Sequence, residues 1–529
     1  MRTFPGTSRL LRYALLVMAV LGCHLAPADP LDRSWFEYRS QNFVVLSDAA
    51  EADMRARIDD LELFRAVVLK VTNVRAGPSG IPVEVYLFSS RADFRSTTTS
   101  DDIAGYMIPG LRVQYMAAGP DTFQLNSQQV LFHEYVHYLV RNGGAAAVQP
   151  PWYDEGLADM LASTELRPDK VVLGGDFPAR IRSINAVVRL PLRDVVEARR
   201  IPQTNIYARA NYYGLAFAFV NYLHVARFAG ARDRLPQLQT YLRLVSNARP
   251  SAALFEQAFG TDYVHMDREL THFLGRATRP VLQLPRSLFN HDASYRRRAV
   301  GRQEIAYRLG YLTLLQAPQN AARLFQLDGL PARDARFRAG IGAVKQLQGK
   351  FGEADADMRA ALALAPDDPV VLQEFANLQP IWCAVPQRPH DCASRVREAA
   401  LAYGYILQIV PDQLETHFML GSLALDMRDD AKSAIAHFEV VLRAAPWSIP
   451  ANGSLGLALQ RAGDNGRALP FLRRAAARTE QDSPFGAKVV AALGTAETEA
   501  AKLAPPAAAG QVLAPGTAAP PAPQPHGAE

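Results

Sequence analysis

From Gly301 onward, small and apolar residues return at a spacing of about 34 residues, and no other feature of the chain narrows its fold so far. The best-preserved copy reads Ile341-Gly342, Gly349-Lys350-Phe351, Ala354, Met358, Ala361 and Pro366. Leu309-Gly310 with Ala322, Leu420-Gly421 with Phe438 and Pro446, and Leu455-Gly456 with Gly463, Ala468 and Ala475 repeat the scheme. A small residue lets the two helices of a hairpin approach closely, and each hairpin then buries its remaining apolar face only against a neighbour. The spacing predicts five such hairpins over residues 300–484, closed by a capping helix over 485–503. The segment from Val370 to Pro411 is one unit expanded by an inserted loop that holds Cys383 and Cys392. Beyond Leu503 the chain is Ala- and Pro-rich with almost no large apolar residue, so 504–529 is expected to be a disordered tail.

A chain of 529 residues exceeds one ordinary core, so a second domain must precede the hairpins. Hydrophobic residues at 49% and charged residues at 21% are those of a folded globular protein. A net charge of +5 without a long run of Lys and Arg gives no electrostatic footprint for nucleic acid, and that partner class is set aside. At the N-terminus, Arg2, Arg9 and Arg12 precede the apolar stretch Ala14 to Gly22, the charge-then-apolar order of a secretory signal over residues 1–28. Val20-Leu21-Gly22-Cys23 resembles a bacterial lipobox, which makes Cys23 a lipidation candidate, although Leu21 is larger than usual there. Ala26-Pro27-Ala28 offers the competing cut, which releases a protein starting at Asp29. Both readings export the chain to the periplasm or to an outer-membrane lipid anchor, and such an anchor is the one membrane contact expected. In an oxidising compartment Cys383 and Cys392 read as a disulfide, with two free thiols as the alternative.

Residues 30–290 mix strands and helices. Asn42 to Leu46 and Ile81 to Phe88 are rich in β-branched and aromatic residues, and Ala49 to Val71 between them is apolar at helical spacing. Short strands are expected at Arg112 to Ala117 and Thr122 to Leu125, followed by a mostly helical stretch of roughly 150 residues. His133-Glu134-Tyr135-Val136-His137 lies in Gln128 to Val140, which carries a helical apolar stripe. Residues four apart on a helix lie one above the other, so both imidazoles can grip one zinc ion while Glu134 reaches a water on it. A third ligand is required, and Glu155 in Trp152-Tyr153-Asp154-Glu155-Gly156-Leu157-Ala158-Asp159, a helix start introduced by Pro150-Pro151, is the candidate.

These residues resemble the gluzincin metallopeptidases, in which a Glu on the helix after the HExxH helix completes the zinc site. The pattern Trp, two residues, Glu-Gly-x-Ala is similar to the compact peptidase MA-like branch, as are Tyr212 to Leu223 and Ala258-Phe259-Gly260 further on. The resemblance spans Trp35 to Leu274 and implies an α+β zincin-like domain, a small mixed sheet plus helices, ahead of the all-α repeat solenoid. It implies that Asp159 accepts the remaining N–H of His133, which fixes the tautomer of the ligand. No motif supplies the oxyanion-stabilising residue; Tyr213 and Tyr207 are the candidates. The repeats have the tetratricopeptide (TPR) period.

The function expected is peptide-bond hydrolysis with one zinc ion per chain. Glu134 serves as general base, the strand Arg112 to Ala117 pairs with an extended peptide, and the repeats recruit a protein substrate or partner. The alternative is a non-catalytic repeat scaffold or envelope assembly factor with a vestigial peptidase domain. Against the zinc reading stand two buried helix histidines with ordinary hydrogen bonds, and an acidic first helical turn at Glu155 and Asp159.

Overall fold

Val44-Val45-Leu46 and Val83 to Leu87 are nearly continuous apolar runs, and side chains on a strand alternate between faces, so the sheet they form must be covered on both sides. The computed structural model describes residues 29–503 apart from 73, 75–80, 101–102, 122–125, 143–148, 176, 186–187, 203–204, 277 and 481. The signal segment with Cys23, the strand expected at Thr122 to Leu125 and the tail after Leu503 lie outside the described residues.

Nine strands are described: β1 (Trp35–Arg39), β2 (Val44–Ser47), β3 (Val83–Leu87), β4 (Gly105–Ile108), β5 (Gln114–Ala118), β6 (Glu165–Leu166), β7 (Lys170–Leu173), β8 (Leu282–Pro285) and β9 (Arg296–Val300). Six of them form a mixed sheet in the order β4-β5-β3-β2-β1-β9, with β2, β3 and β5 parallel. The small sheet β6-β7-β8 interrupts the stretch expected to be helical. β5 lies between β3 and β4, so both its edges are occupied and it cannot take up a peptide; the outer strands of the sheet are β4 and β9.

One face of the sheet, through Tyr38, Val45, Val85 and Met116, shares a core with the helices of the N-terminal part. These are α1 (Glu51–Thr72) and, past α2 (Arg91–Arg95), whose Phe94 joins the core of the opposite face, α3 (Ser127–Asn142), α4 (Pro151–Ala162), α5 (Pro178–Asn185), α6 (Leu192–Val196), α7 (Ile206–Val225), α8 (Leu235–Val245), α9 (Ala252–Phe259) and α10 (Tyr263–Leu274). Phe64 of α1 stacks on Phe132 of α3 with ring centres 3.8 Å apart. α7 is buried almost all round from Asn211 to Leu223, as an apolar helix at the middle of a core must be.

The opposite face, through Leu46, Tyr86 and Ala117, packs on the first repeat hairpins. Five hairpins follow: α11 (Arg302–Leu314) with α12 (Pro318–Phe325), α13 (Ala335–Leu347) with α14 (Phe351–Leu364), α15 (Pro369–Ala384) with α16 (Cys392–Ile409), α17 (Leu414–Met427) with α18 (Ala431–Ala444), and α19 (Ile449–Arg461) with α20 (Asn465–Arg478). α21 (Pro484–Leu503) covers the last one. Gly421 packs directly on the ring of Phe438, the close approach that the repeat pattern requires. Cys383 and Cys392 form a disulfide that joins the end of α15 to the start of α16.

β9 falls between the two expected domains, completes the sheet and runs directly into α11. Its sequence, Arg296-Arg297-Arg298-Ala299-Val300, shows no apolar alternation; main-chain pairing to β1 and buried Glu37 hold it. Arg298 donates to Glu37 at 2.7 Å, and Arg308 of α11 donates to Glu37 at 3.1 Å and to Glu84 at 3.3 Å. Burial pushes the Glu37 carboxyl up, but the guanidinium groups of Arg298, Arg308 and Arg39 outweigh it and hold the group below its ordinary range.

The first helices of four hairpins, α11, α13, α15 and α17, line a cavity of about 430 Å³ whose other wall is the β4–β5 loop. Arg112 on that loop donates to Glu374 of α15 at 3.1 Å, lies 3.6 Å from Glu415 of α17, and stands 5.7 Å from the ring centre of Tyr311 in α11. Part of the array's inner face is thus occupied by the chain's own loop.

Candidate metal centre

The helix carrying His133 and His137 starts where Asn126 accepts hydrogen bonds from the backbone N–H groups of Gln128 and Gln129, at 2.9 and 3.3 Å. Leu131, Phe132, Tyr135, Val136 and Leu139 bury its apolar stripe and fix its rotation. The two imidazoles therefore face α4, with ring centres 4.8 Å apart. α4 begins at Pro151, where a missing N–H costs nothing, and Trp152 anchors it against Phe219 of α7 at 5.0 Å. Gly156 explains the Glu-Gly pair: a Cβ there would stand 2.4 Å from the Ala216 carbonyl oxygen, so α4 and α7 touch backbone to backbone beside Glu155.

His133, His137 and Glu155 converge. The two Nε2 atoms lie 3.1 Å apart, and Glu155 Oε2 lies 3.2 Å from that of His133 and 3.6 Å from that of His137. Glu155 Oε2 is buried and, despite these distances, accepts no aligned hydrogen bond. Each ring is engaged on its other nitrogen: His133 Nδ1 with Asp159 Oδ1 at 2.9 Å, His137 Nδ1 with Asp154 Oδ1 at 3.0 Å. In neutral rings Nδ1 donates these bonds, so both Nε2 lone pairs meet at one point together with a carboxylate oxygen.

The donor set fits zinc. Corners of a tetrahedron about 2.0–2.1 Å from a central ion stand roughly 3.3 Å apart, close to the three separations seen here. Arg180 donates to Asp159 at 2.6 and 3.1 Å and matches the charge of that carboxylate. The Glu155 carboxylate, set against the two imidazoles, is left for a cation. Without one, protons are drawn in: burial alone would lower the His133 imidazole, but Asp159 and Glu155 outweigh it and raise the group to about 9. His137 is raised in the same way by Asp154 and Glu155 against its burial. Burial pushes Glu155 up, yet the two imidazoles overcome this and hold it well below the carboxylate range.

Glu134 follows His133 on α3 and is half-buried. Its charge is felt by the Tyr213 hydroxyl, which burial and the carboxylates of Glu155, Asp159 and Glu134 raise well above its ordinary value against the pull of Arg180. The Tyr213 ring lies 4.6 Å under the Arg180 guanidinium, which places it beside the centre. Tyr207, the other oxyanion candidate, is 62% exposed in the first turn of α7 and touches none of these groups. Tyr212 keeps a buried hydroxyl without a hydrogen-bond partner. Two members of the centre were missed. Asp154 reads locally as an ordinary first-turn acid, although its position beside Glu155 was a usable signal. Arg180 comes from α5, brought close because Gly214 of α7 lies against the Arg180 carbonyl, and no local pattern marks it.

No protein-family model matches the chain, and no curated protein matches it. Part of the chain is similar to solved structures of other proteins. A thermophilic TPR protein of Thermus thermophilus is 16% identical, with 36% of this chain and 98% of that chain covered and a TM-score of 0.29. PilF of Pseudomonas aeruginosa is 20% identical, covering 38% and 90%, TM-score 0.29. MamA of Desulfovibrio magneticus is 16% identical, covering 34% and 97%, TM-score 0.27. The hairpin array is TPR-like in its repeated pairs of helices. Among the described residues no helix is long and apolar enough to cross a membrane.

Proposed function

We propose that the chain is a zinc-dependent hydrolase of peptide bonds, acting outside the cytoplasm, with its repeat array as the protein-binding part. The observation that supports this most is the buried Glu155 Oε2 aimed, without an aligned hydrogen bond, at two imidazole nitrogens. His133, His137 and Glu155 would hold zinc, which would supply Lewis acidity toward the scissile carbonyl and acidify a water. Glu134 would serve as general base, taking a proton from the attacking water and returning it to the leaving amine. Asp159 and Asp154 hold the rings with Nε2 free of a proton, and Arg180 keeps Asp159 ionised. Tyr213, protonated and beside the centre, is the donor placed to meet a developing oxyanion. The outer edge of β4 offers main-chain pairing to an extended substrate.

The test is cleavage of fluorescein-labelled casein by the wild-type chain and by Glu134→Gln, with zinc measured in both. The variant keeps its zinc and loses activity by on the order of a thousandfold. A second reading, a repeat scaffold whose metal domain turns over nothing, agrees with the protein-binding fold of the array. Wild-type protein that holds zinc yet matches the variant in cleavage decides for the scaffold.

A further inference from the structure

A cavity of about 690 Å³ opens on the array between the third and fourth hairpins, within the range of roughly 300–1,000 Å³ in which ligand clefts fall. All its lining residues belong to these hairpins, apart from the metal centre. Its apolar walls are Val396, Leu401 and Met427, and the latter two are 75% and 45% exposed, a poor use of large apolar side chains unless something covers them. Arg388, Arg397 and Arg428 complete the lining, and no carboxylate is among it.

Several guanidiniums elsewhere in the array pair with carboxylates: Arg336 with Asp368, Arg359 with Glu398, Arg467 with Glu439 and Arg473 with Glu497. The side chains of Arg388, Arg397 and Arg428 make no hydrogen bond or ion pair with any described residue. Asp430 feels the charge of Arg428 but commits its oxygens to Ser433. Arg388 sits on the loop that the Cys383–Cys392 disulfide closes, so a covalent clasp holds one of the three charges at the cavity.

We infer that this cavity binds an acidic segment of a partner protein in which carboxylates are interspersed with aliphatic side chains. The guanidiniums come from three separate elements, the inserted loop, α16 and the end of α17. They share the lining with the apolar side chains of Val396, Leu401 and Met427, a mixture that suits a chain of carboxylates and aliphatic groups better than a single phosphate. Arginine forks pair with carboxylates two bonds at a time, and the floor takes the aliphatic groups between. The inference is independent of the reading of the metal centre.

Fluorescence anisotropy with the full chain and a fluorescein-labelled peptide alternating Glu and Leu tests it. Saturable binding is expected, roughly tenfold weaker in Arg397→Gln and abolished in the triple variant Arg388→Gln, Arg397→Gln, Arg428→Gln. Arg209→Gln, an exposed arginine on α7, leaves it unchanged, and a peptide with Gln for Glu fails to bind. Circular dichroism checks that the exposed substitutions leave the fold intact. Absence of saturable binding, equal affinity in the triple variant, or triple-variant-sensitive binding only to phosphatidylglycerol vesicles overturns the proposal, the last in favour of a membrane surface.

Discussion

At the scale of single residues, the centre is decided by how each imidazole spends its two nitrogens. Asp159 and Asp154 occupy Nδ1 and leave Nε2 for a cation. Asp159→Asn keeps the shape but weakens the acceptor and strands Arg180, so zinc affinity falls about 10- to 100-fold, read by competition with a chelating dye. Unchanged affinity would show that the pair only packs. A second titratable residue bears on stability. Burial, with Arg227 adding to it, drags the imidazole of His224 on α7 from its ordinary 6.5 to about 4. Between these values the folded chain binds fewer protons than the unfolded one, so stability drains as pH falls from 6.5 toward 4. With His224 partly solvent-accessible the loss is up to about 2 kcal/mol. Urea midpoints at pH 7 and pH 4.5 should differ less for His224→Gln than for wild type; equal losses contradict the assignment.

Between elements, the contact of α4 with α7 sets where Glu155 points. Gly156→Ala places a methyl group 2.4 Å from the Ala216 carbonyl oxygen and 2.6 Å from a Val220 methyl, so α4 must move away and carry Glu155 with it. The expected cost is about 2 kcal/mol in unfolding free energy, with at least a roughly tenfold loss of zinc affinity. Thermal melting with and without zinc checks both, and a variant of wild-type affinity would show that α4 is not positioned by this contact. The two helices of the candidate centre were legible because a spacing of four residues fixes a helix face, and because Glu155 sits in a second dense motif. Strand β9 was not, because a run of three arginines acquires strand geometry only from β1 and the buried Glu37 opposite.

For the whole molecule, the sheet serves both halves. The apolar runs in β2 and β3 already implied cover on two faces, but nothing local in the chain says that the second cover is the repeat array. A fragment ending at Pro285 lacks β9 and bares Leu46, Tyr86 and Phe88, so it should aggregate where the full chain is monodisperse by light scattering. A monomeric, cooperatively melting fragment would mean that the halves are independent. The account rests most on His133, His137 and Glu155 sharing one zinc ion. Metal content by plasma mass spectrometry of the full chain beside Glu155→Ala tests that directly: one zinc per chain in the wild type and a substoichiometric amount in the variant are predicted. Equal zinc in both, or none in a wild type purified and loaded with zinc, would contradict it.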